Sequence, residues 1–306
     1  MLSRTFTLSI LPLTISALLL TACQKTEQKT DVAAAASSAA TAPAATNASA
    51  VTASAQSSVD LSKETAEYKA WVQTQIDSLL ADTQKFVALL EAGKLEEAKA
   101  LYPKVRMYYE RSEPIAESFG DLDPRIDNRE ADLEPNEVWT GFHAIEKILW
   151  TQNTTKGTEK LGKQLIADVK ELHAKIPTAE VTGDLMVQGS VDLLNEVSTS
   201  KITGEEEIFS HTDLYDFKAN IEGAEKIFAI LKPKIQAKNP ALVTELEQKF
   251  DAVNQLLAKH QVGQQDYKSY KELTPADTKA LAEAVNRLGE SLAQMGIVLQ
   301  LSLIHI

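Results

Sequence analysis

A single cysteine, Cys23, stands among the 306 residues, so no intramolecular disulfide can form. Only 12 glycines and 10 prolines punctuate the chain, aromatics are 6%, and alternating apolar–polar stretches are hard to find, which leaves little to build a sandwich or barrel from. Positive charge is short as well. The chain has 31 Lys and Arg against 43 Asp and Glu, a formal −12 that suits nucleic acid and anionic lipid poorly and cations well. The longest apolar run, Leu8 to Leu20, falls below the roughly 20 residues that a spanning helix needs.

What fills the chain instead is helical spacing. Tyr68, Val72, Ile76, Leu79, Leu80, Val87 and Leu90 recur at i, i+3, i+4, i+7 intervals, predicting a helix from Lys63 to Ala92 that ends at Gly93. Leu95 to Phe119 reads as helix broken near Pro103 and Pro114, followed by helices over Leu161–Ile176 and Leu185–Val197. Asp213–Leu231, stopped by Pro233, Pro240–His260, and a last helix opened by Thr274-Pro275 and running to about Leu301 complete the set. Seven or eight long helices with short joints predict an all-α fold of two packed four-helix bundles, with halves of about 60–178 and 179–301. The echo of Ala144–Leu149 (AIEKIL) in Gly223–Phe228 (GAEKIF) points to an internal duplication, with His143 aligned to Glu222.

Residues before this body read as address and tether. Arg4 gives a short basic start, the apolar run follows, and Leu20-Thr21-Ala22-Cys23 resembles a bacterial lipobox. That resemblance implies a signal peptide over 1–22, cleavage before Cys23 and acylation of its thiol, and Gln24 favours the outer membrane. Loss of Arg4 alone takes the balance from −12 to −13. Residues 23–59 are rich in Ala, Ser and Thr and poor in large apolar groups, the composition of a disordered tether. At the other end, Ser302–Ile306 resembles translated adapter read-through, so His305 is set aside.

Between Glu110 and Glu134, nine carboxylates face three arginines, a local charge of −6. Glu110, Glu113 and Glu117 fall on one helical face, where like charges cost a few tenths of a kcal/mol per pair unless a cation or a basic partner offsets them. Arg111 points elsewhere on that helix, so the offset is expected from another element. Asp121–Asp132 is no EF-hand, since Ile126 occupies the position that needs Gly, but Asp127 or Glu130 can still offer an oxygen ligand. A helix opened by Glu134-Pro135 then places Val138, Phe142, Ile145 and Leu149 on a core stripe, with Trp139, His143, Glu146 and Trp150 beside it. His143 and Glu146, one turn apart, either hydrogen-bond each other at an amphipathic border or share a metal.

Gly141-Phe142-His143-Ala144-Ile145-Glu146, with the run Tyr109–Asp123 upstream and Ser210–Asn220 downstream, resembles the imelysin family, most nearly the metal-binding domain of EfeO/EfeM-type iron-uptake proteins. The resemblance implies two helical bundles with a metal site in the cleft between them, and a periplasmic, lipid-anchored protein that passes iron to a membrane permease, with a haem peroxidase as a further partner. Carried over by position, His143 and Glu146 match the GxHxxE pair, and Glu113 and Asp127 match acidic ligand positions. Glu110, Glu117, Glu130, His211 and Asp213 stand as second-choice ligands or their supports. The cupredoxin domain of EfeO proper has no counterpart, so the stand-alone EfeM arrangement is the better analogy.

Three other functions compete. The family was first named as a peptidase, yet Lys147 stands where the second His of an HxxEH zinc motif belongs, and His173 and His260 have no motif around them. A ferritin-like di-iron centre uses Glu-x-x-His on two helices, whereas this chain has His-x-x-Glu once. A polysaccharide module would stack sugars on Trp139 or Trp150. Oxygen ligands with one imidazole suit iron, and also manganese, calcium or zinc.

Overall fold

The computed structural model describes residues 59–301. The signal-peptide, Cys23 and tether readings, and that of Ser302–Ile306, lie outside the described residues.

The body is all-α. Its helices are α1 (Ser62–Glu91), α2 (Leu95–Glu110), α3 (Glu113–Ala116), α4 (Leu122–Asp127), α5 (Gly141–Thr151), α6 (Glu159–Lys175), α7 (Gly183–Thr199), α8 (Asp213–Lys238), α9 (Pro240–Ala258) and α10 (Pro275–Leu299). Among the described residues the strands are confined to one two-residue hairpin, Gln261–Val262 pairing antiparallel with Asp266–Tyr267. Helix α1 packs on α2 and α6, and α5 lies on α4 and α6; α7 packs on α8 and α10, and α9 on the same two. Contact between α2 and α8 joins the two groups, and one continuous apolar core runs through both.

Local chemistry sets most boundaries. Gly93, at φ +71°, closes α1: its N–H donates to Leu90 O, and Lys94 N–H donates to Leu89 O, a pairing that satisfies the last carbonyls. Thr274 and Asp277 cap each other's backbone, and Pro275 opens α10.

Four expectations need correction. Helix α2 runs unbroken through Pro103 and α8 through Pro233. A proline inside a helix costs about 3 kcal/mol, and here the helices are held on several sides: α2 by α1 and α8, and α8 by α2, α7 and α9. Glu110, Glu113 and Glu117 do not share one helical face, because the chain breaks at Arg111-Ser112, leaving Glu113 to open α3 and Glu117 in a 3-10 turn. The segment read as a carboxylate-rich turn folds as the short helix α4, with Ile126 buried. Finally, α5 begins at Gly141 rather than after Pro135, so Val138 leaves the core stripe and is 79% exposed, while Phe142, Ile145 and Leu149 stay buried.

Gly141 explains that late start. Its φ is +87°, and a methyl group there would overlap the backbone carbonyl of Ile126. Around it, Thr140 Oγ1 donates to Arg125 O at 2.9 Å and Trp139 Nε1 donates to Asn128 O at 2.7 Å. The start of α5 is thereby seated on the end of α4, which brings Asp127 beside His143.

Candidate metal centre

Six pieces of chain meet where α2 packs against α8. Helix α2 supplies Arg106 and Glu110, α3 supplies Glu113, α4 Asp127, and α5 His143 and Glu146. The irregular stretch before α8 supplies Lys201, Glu206 and Glu207, and α8 itself supplies Asp216 and Asn220. All are buried except Asp127, whose side chain is 10% exposed. Seven carboxylates thus face two fixed cations, Arg106 and Lys201.

Arg106 is the hub. Its guanidinium pairs with Asp127 and Glu207, reaches Glu110 Oε1 at 2.5 Å, Asp216 Oδ1 at 3.4 Å and Glu206 Oε1 at 3.6 Å, and lies over the Phe142 ring. Lys201 Nζ reaches Glu110 Oε2 at 2.7 Å, Glu196 Oε2 at 3.0 Å and Glu113 Oε1 at 3.5 Å. Asn220 Nδ2 donates to Glu113 Oε2 at 2.7 Å and to Glu110 Oε2 at 3.2 Å. The offset expected from another element therefore comes only in part from one: Arg106 lies on the same helix as Glu110, four residues back.

His143 is held by Glu146. Nδ1 lies 3.2 Å from Glu146 Oε2, while Glu146 Oε1 accepts from the Phe209 and Ser210 N–H groups at 3.1 and 2.7 Å. With Glu146 engaged on both oxygens, Nδ1 takes the proton and the lone pair falls on Nε2. That nitrogen is buried without a hydrogen-bond partner and faces Asp127 Oδ1 at 3.7 Å and Glu206 Oε1 at 3.9 Å. Ligand atoms of Asp127, His143 and Glu206 lie within 4.8 Å of one another, as do those of His143, Glu146 and Glu207 and those of Glu110, Glu113 and Asp127. Both oxygens of buried Asp216 also lack a hydrogen-bond partner. Orphaned acceptors and surplus carboxylate charge are what a cation would satisfy, so the residues present fit a metal.

Electrostatics agree. Burial pushes Asp127 up to about 6 against the pull of Arg106. Burial and the Glu110 charge hold Glu113 well above the carboxylate range, and burial and the Glu146 charge do the same to Glu207. Burial likewise raises Asp216 despite Arg106. Burial would raise Glu110 too, but Lys201 and Arg106 outweigh it and bring it below its ordinary value. For Glu146 the His143 hydrogen bond and backbone donors outweigh burial in the same way.

These shifts fix a pH dependence. Asp127 and Asp213, both at about 6, with Glu113, Glu207 and Asp216 also raised well above their ordinary values by burial, make these sites bind more protons in the folded metal-free chain than in the unfolded chain above pH 4. Their contribution to stability is present at low pH and is lost as pH rises through the folded values. Glu110 and Glu146 act oppositely, but their stabilisation is lost only at pH values below the ordinary 4.5. Metal-free protein is therefore expected to show a higher urea midpoint at pH 5 than at pH 7.5, with saturating Mn2+ closing the gap at pH 7.5. A metal-free midpoint that rises from pH 5 to 7.5 would contradict the assignment.

The second-choice residues divide. Glu110 belongs to the cluster. Glu117 is exposed and lines a cleft of about 260 Å3, together with Glu113, Asp123, Asp127, Arg129 and Glu206, that opens onto the cluster. Glu130 is drawn off to Lys147. His211, at φ +58°, joins none of the ligand groups, its pKa lowered by burial and Lys271. Asp213 Oδ1 accepts from Glu207 N–H at 3.1 Å and so fixes the backbone of a member of the cluster. Sequence reasoning missed Arg106, Lys201, Glu206, Glu207, Asp216 and Asn220. Signals for five were there: Glu206 and Glu207 just precede Ser210-His211, Asp216 and Asn220 lie within Ser210–Asn220, and Arg106 lies one turn before Glu110.

Fold and site define an all-α protein with a buried imidazole–carboxylate cluster between two helical groups. The family model for imelysin, which also bears a peptidase-family name, matches residues 64–295. The chain belongs to the imelysin family, and within it to the EfeM/EfeO type. An Efem/EfeO family lipoprotein from Staphylococcus haemolyticus (strain JCSC1435) is 54% identical over 247 residues, 79% of this chain and 86% of that protein. One from Staphylococcus aureus (strain MSSA476) is 51% identical over 243 residues, 78% of this chain and 86% of that protein. A crystal structure described as an iron-regulated protein A precursor from Parabacteroides distasonis shares the fold, with TM-score 0.61 at 15% identity, covering 80% of this chain and 96% of that one.

Proposed function

We propose that this protein is the iron-binding component of an Efe-type uptake system, lipid-anchored through Cys23 on the periplasmic side, with Gln24 favouring the outer membrane. It captures one iron ion as cargo and passes it to a membrane permease, with a haem peroxidase as a further partner. The lipoprotein relatives support the extracytoplasmic, anchored setting. The observation that carries iron binding is the orphaned His143 Nε2 facing Asp127 and Glu206 inside a surplus of buried carboxylates. In this reading His143, Asp127 and Glu206 grip the ion, Glu146 orients the imidazole, and Glu113, Glu110 and Glu207 supply further oxygens. Hard oxygens with one imidazole favour iron, with Mn2+, Zn2+ and Ca2+ as competitors.

The competing functions find less support. Lys147, at the place of a second zinc histidine, pairs with Glu130 and lies over the Trp139 and Phe209 rings. Trp139 is tied to Asn128, and Trp150 packs edge-on against Tyr102 under Lys99, so neither ring is free as a sugar platform. The test is metal content after exhaustive dialysis, with casein turnover measured at matched metal loading. About one iron per chain and no turnover is expected; retention unaffected by His143→Ala combined with Glu146→Ala, or turnover that rises with metal, would overturn the reading.

A further inference from the structure

Among the described residues, Lys201 stands apart from the other lysines. Its ammonium is buried, in a 3-10 turn (Lys201–Thr203) that leads into the irregular stretch carrying Glu206 and Glu207. Burial alone would lower its pKa, but Glu110 and Glu113 outweigh that and hold it well above the ordinary value, so it remains a fixed positive charge. The carboxylates it contacts are largely the ones a cation would use. Glu110 and Glu113 are two of the three members of one ligand group, and Glu206 Oε1, 4.0 Å from Nζ, is the oxygen 3.9 Å from His143 Nε2. The cleft that opens onto the cluster is lined by three of its partners, Glu113, Glu196 and Glu206. An ion arriving through that cleft meets oxygens already shared with an ammonium.

We infer that Lys201 is a resident counter-cation that competes with the cargo for Glu110, Glu113 and Glu206, and thereby keeps binding weak enough for release, with a penalty that grows with the charge of the ion. The inference rests on the metal-binding reading above. It differs from a structural role in a measurable way. A lysine that merely held the fold together would, when removed, weaken metal binding or leave it unchanged. A competing charge, when removed, strengthens binding, and does so more for a trivalent than for a divalent ion, because the Coulomb energy scales with ionic charge.

The experiment compares the wild-type protein with Lys201→Met, Lys201→Gln and Lys201→Arg, reading dissociation constants for Mn2+ and Ga3+ by chelator competition at fixed pH and ionic strength. Lys201→Gln keeps a hydrogen-bond donor for Glu110 and serves if the methionine variant does not fold. Both neutral variants are expected to bind Mn2+ about tenfold more tightly, and Ga3+ about thirtyfold more tightly, the tenfold factor raised to the power 1.5. Lys201→Arg, which keeps the charge, is expected to stay within about threefold of wild type. Equal or weaker binding in the neutral variants, or the same gain for both ions, overturns the inference while leaving the metal site standing. Wild-type protein that binds neither ion overturns the metal-binding reading instead.

Discussion

His143→Ala is expected to lower iron affinity by at least about a hundredfold, because it removes what is, among the described residues, the one imidazole in the ligand groups. The size of the loss matters less than its ordering against neighbours. Glu146 spends one oxygen on His143 and the other on the Phe209 and Ser210 N–H groups, so it acts on the metal through the ring it orients. Glu146→Gln is therefore expected to cost about ten- to a hundredfold, the range for a partner that orients a ligand. Glu206→Gln, at the oxygen facing Nε2, is expected to cost as much as His143→Ala. Isothermal titration with Mn2+ and with Fe2+ under nitrogen ranks the three. If Glu146→Gln proves the most damaging and Glu206→Gln is silent, the ion sits on the Nδ1 side, with Glu146 and Glu207.

The second large effect is on stability. Arg106 is fully buried and touches Glu110, Asp127, Glu206, Glu207 and Asp216. Removing one partner from a buried ionic network leaves uncompensated charge and costs about 3–5 kcal/mol. Arg106→Met should lower the urea-derived stability at pH 7.5 by that amount. A saturating divalent ion should restore part of it, because the ion answers the same carboxylates, and lowering the pH toward 5 should help for the same reason. A loss below about 1 kcal/mol would mean that the cluster holds protons rather than charge at neutral pH.

How far the sequence reached depended on whether a signal was local. Gly93 and Thr274-Pro275 announced helix ends through capping chemistry confined to a few residues, and those ends stand. Pro103 and Pro233 announced breaks that do not exist, because packing along α2 and α8 overrides a local penalty. Glu134-Pro135 carried a start signal, yet α5 waits for Gly141, whose close approach to Ile126 depends on a neighbour 15 residues back. At the site, His143 and Glu146 were legible as a pair one helical turn apart, whereas Glu113 and Asp127 were singled out by the family resemblance, since the helical face read for Glu110, Glu113 and Glu117 breaks at Arg111-Ser112. Lys201 was not legible, and Glu206 and Glu207 were signalled only by their nearness to Ser210-His211, since residues 200–212 carry no apolar period and reach the cluster only through the tertiary fold. Asp216 and Asn220 lay inside a stretch already marked by resemblance, but only the crossing of α2 and α8 selects them over His211.

The central claim is that side chains from both helical groups converge with one imidazole on a single ion. X-ray absorption at the iron edge of the loaded protein tests this most directly. The account predicts an oxygen-dominated shell with the scattering of about one imidazole, lost in His143→Ala, at a stoichiometry of about one iron per chain. An all-oxygen shell unchanged by His143→Ala, or a shell with two or more imidazoles, would contradict it.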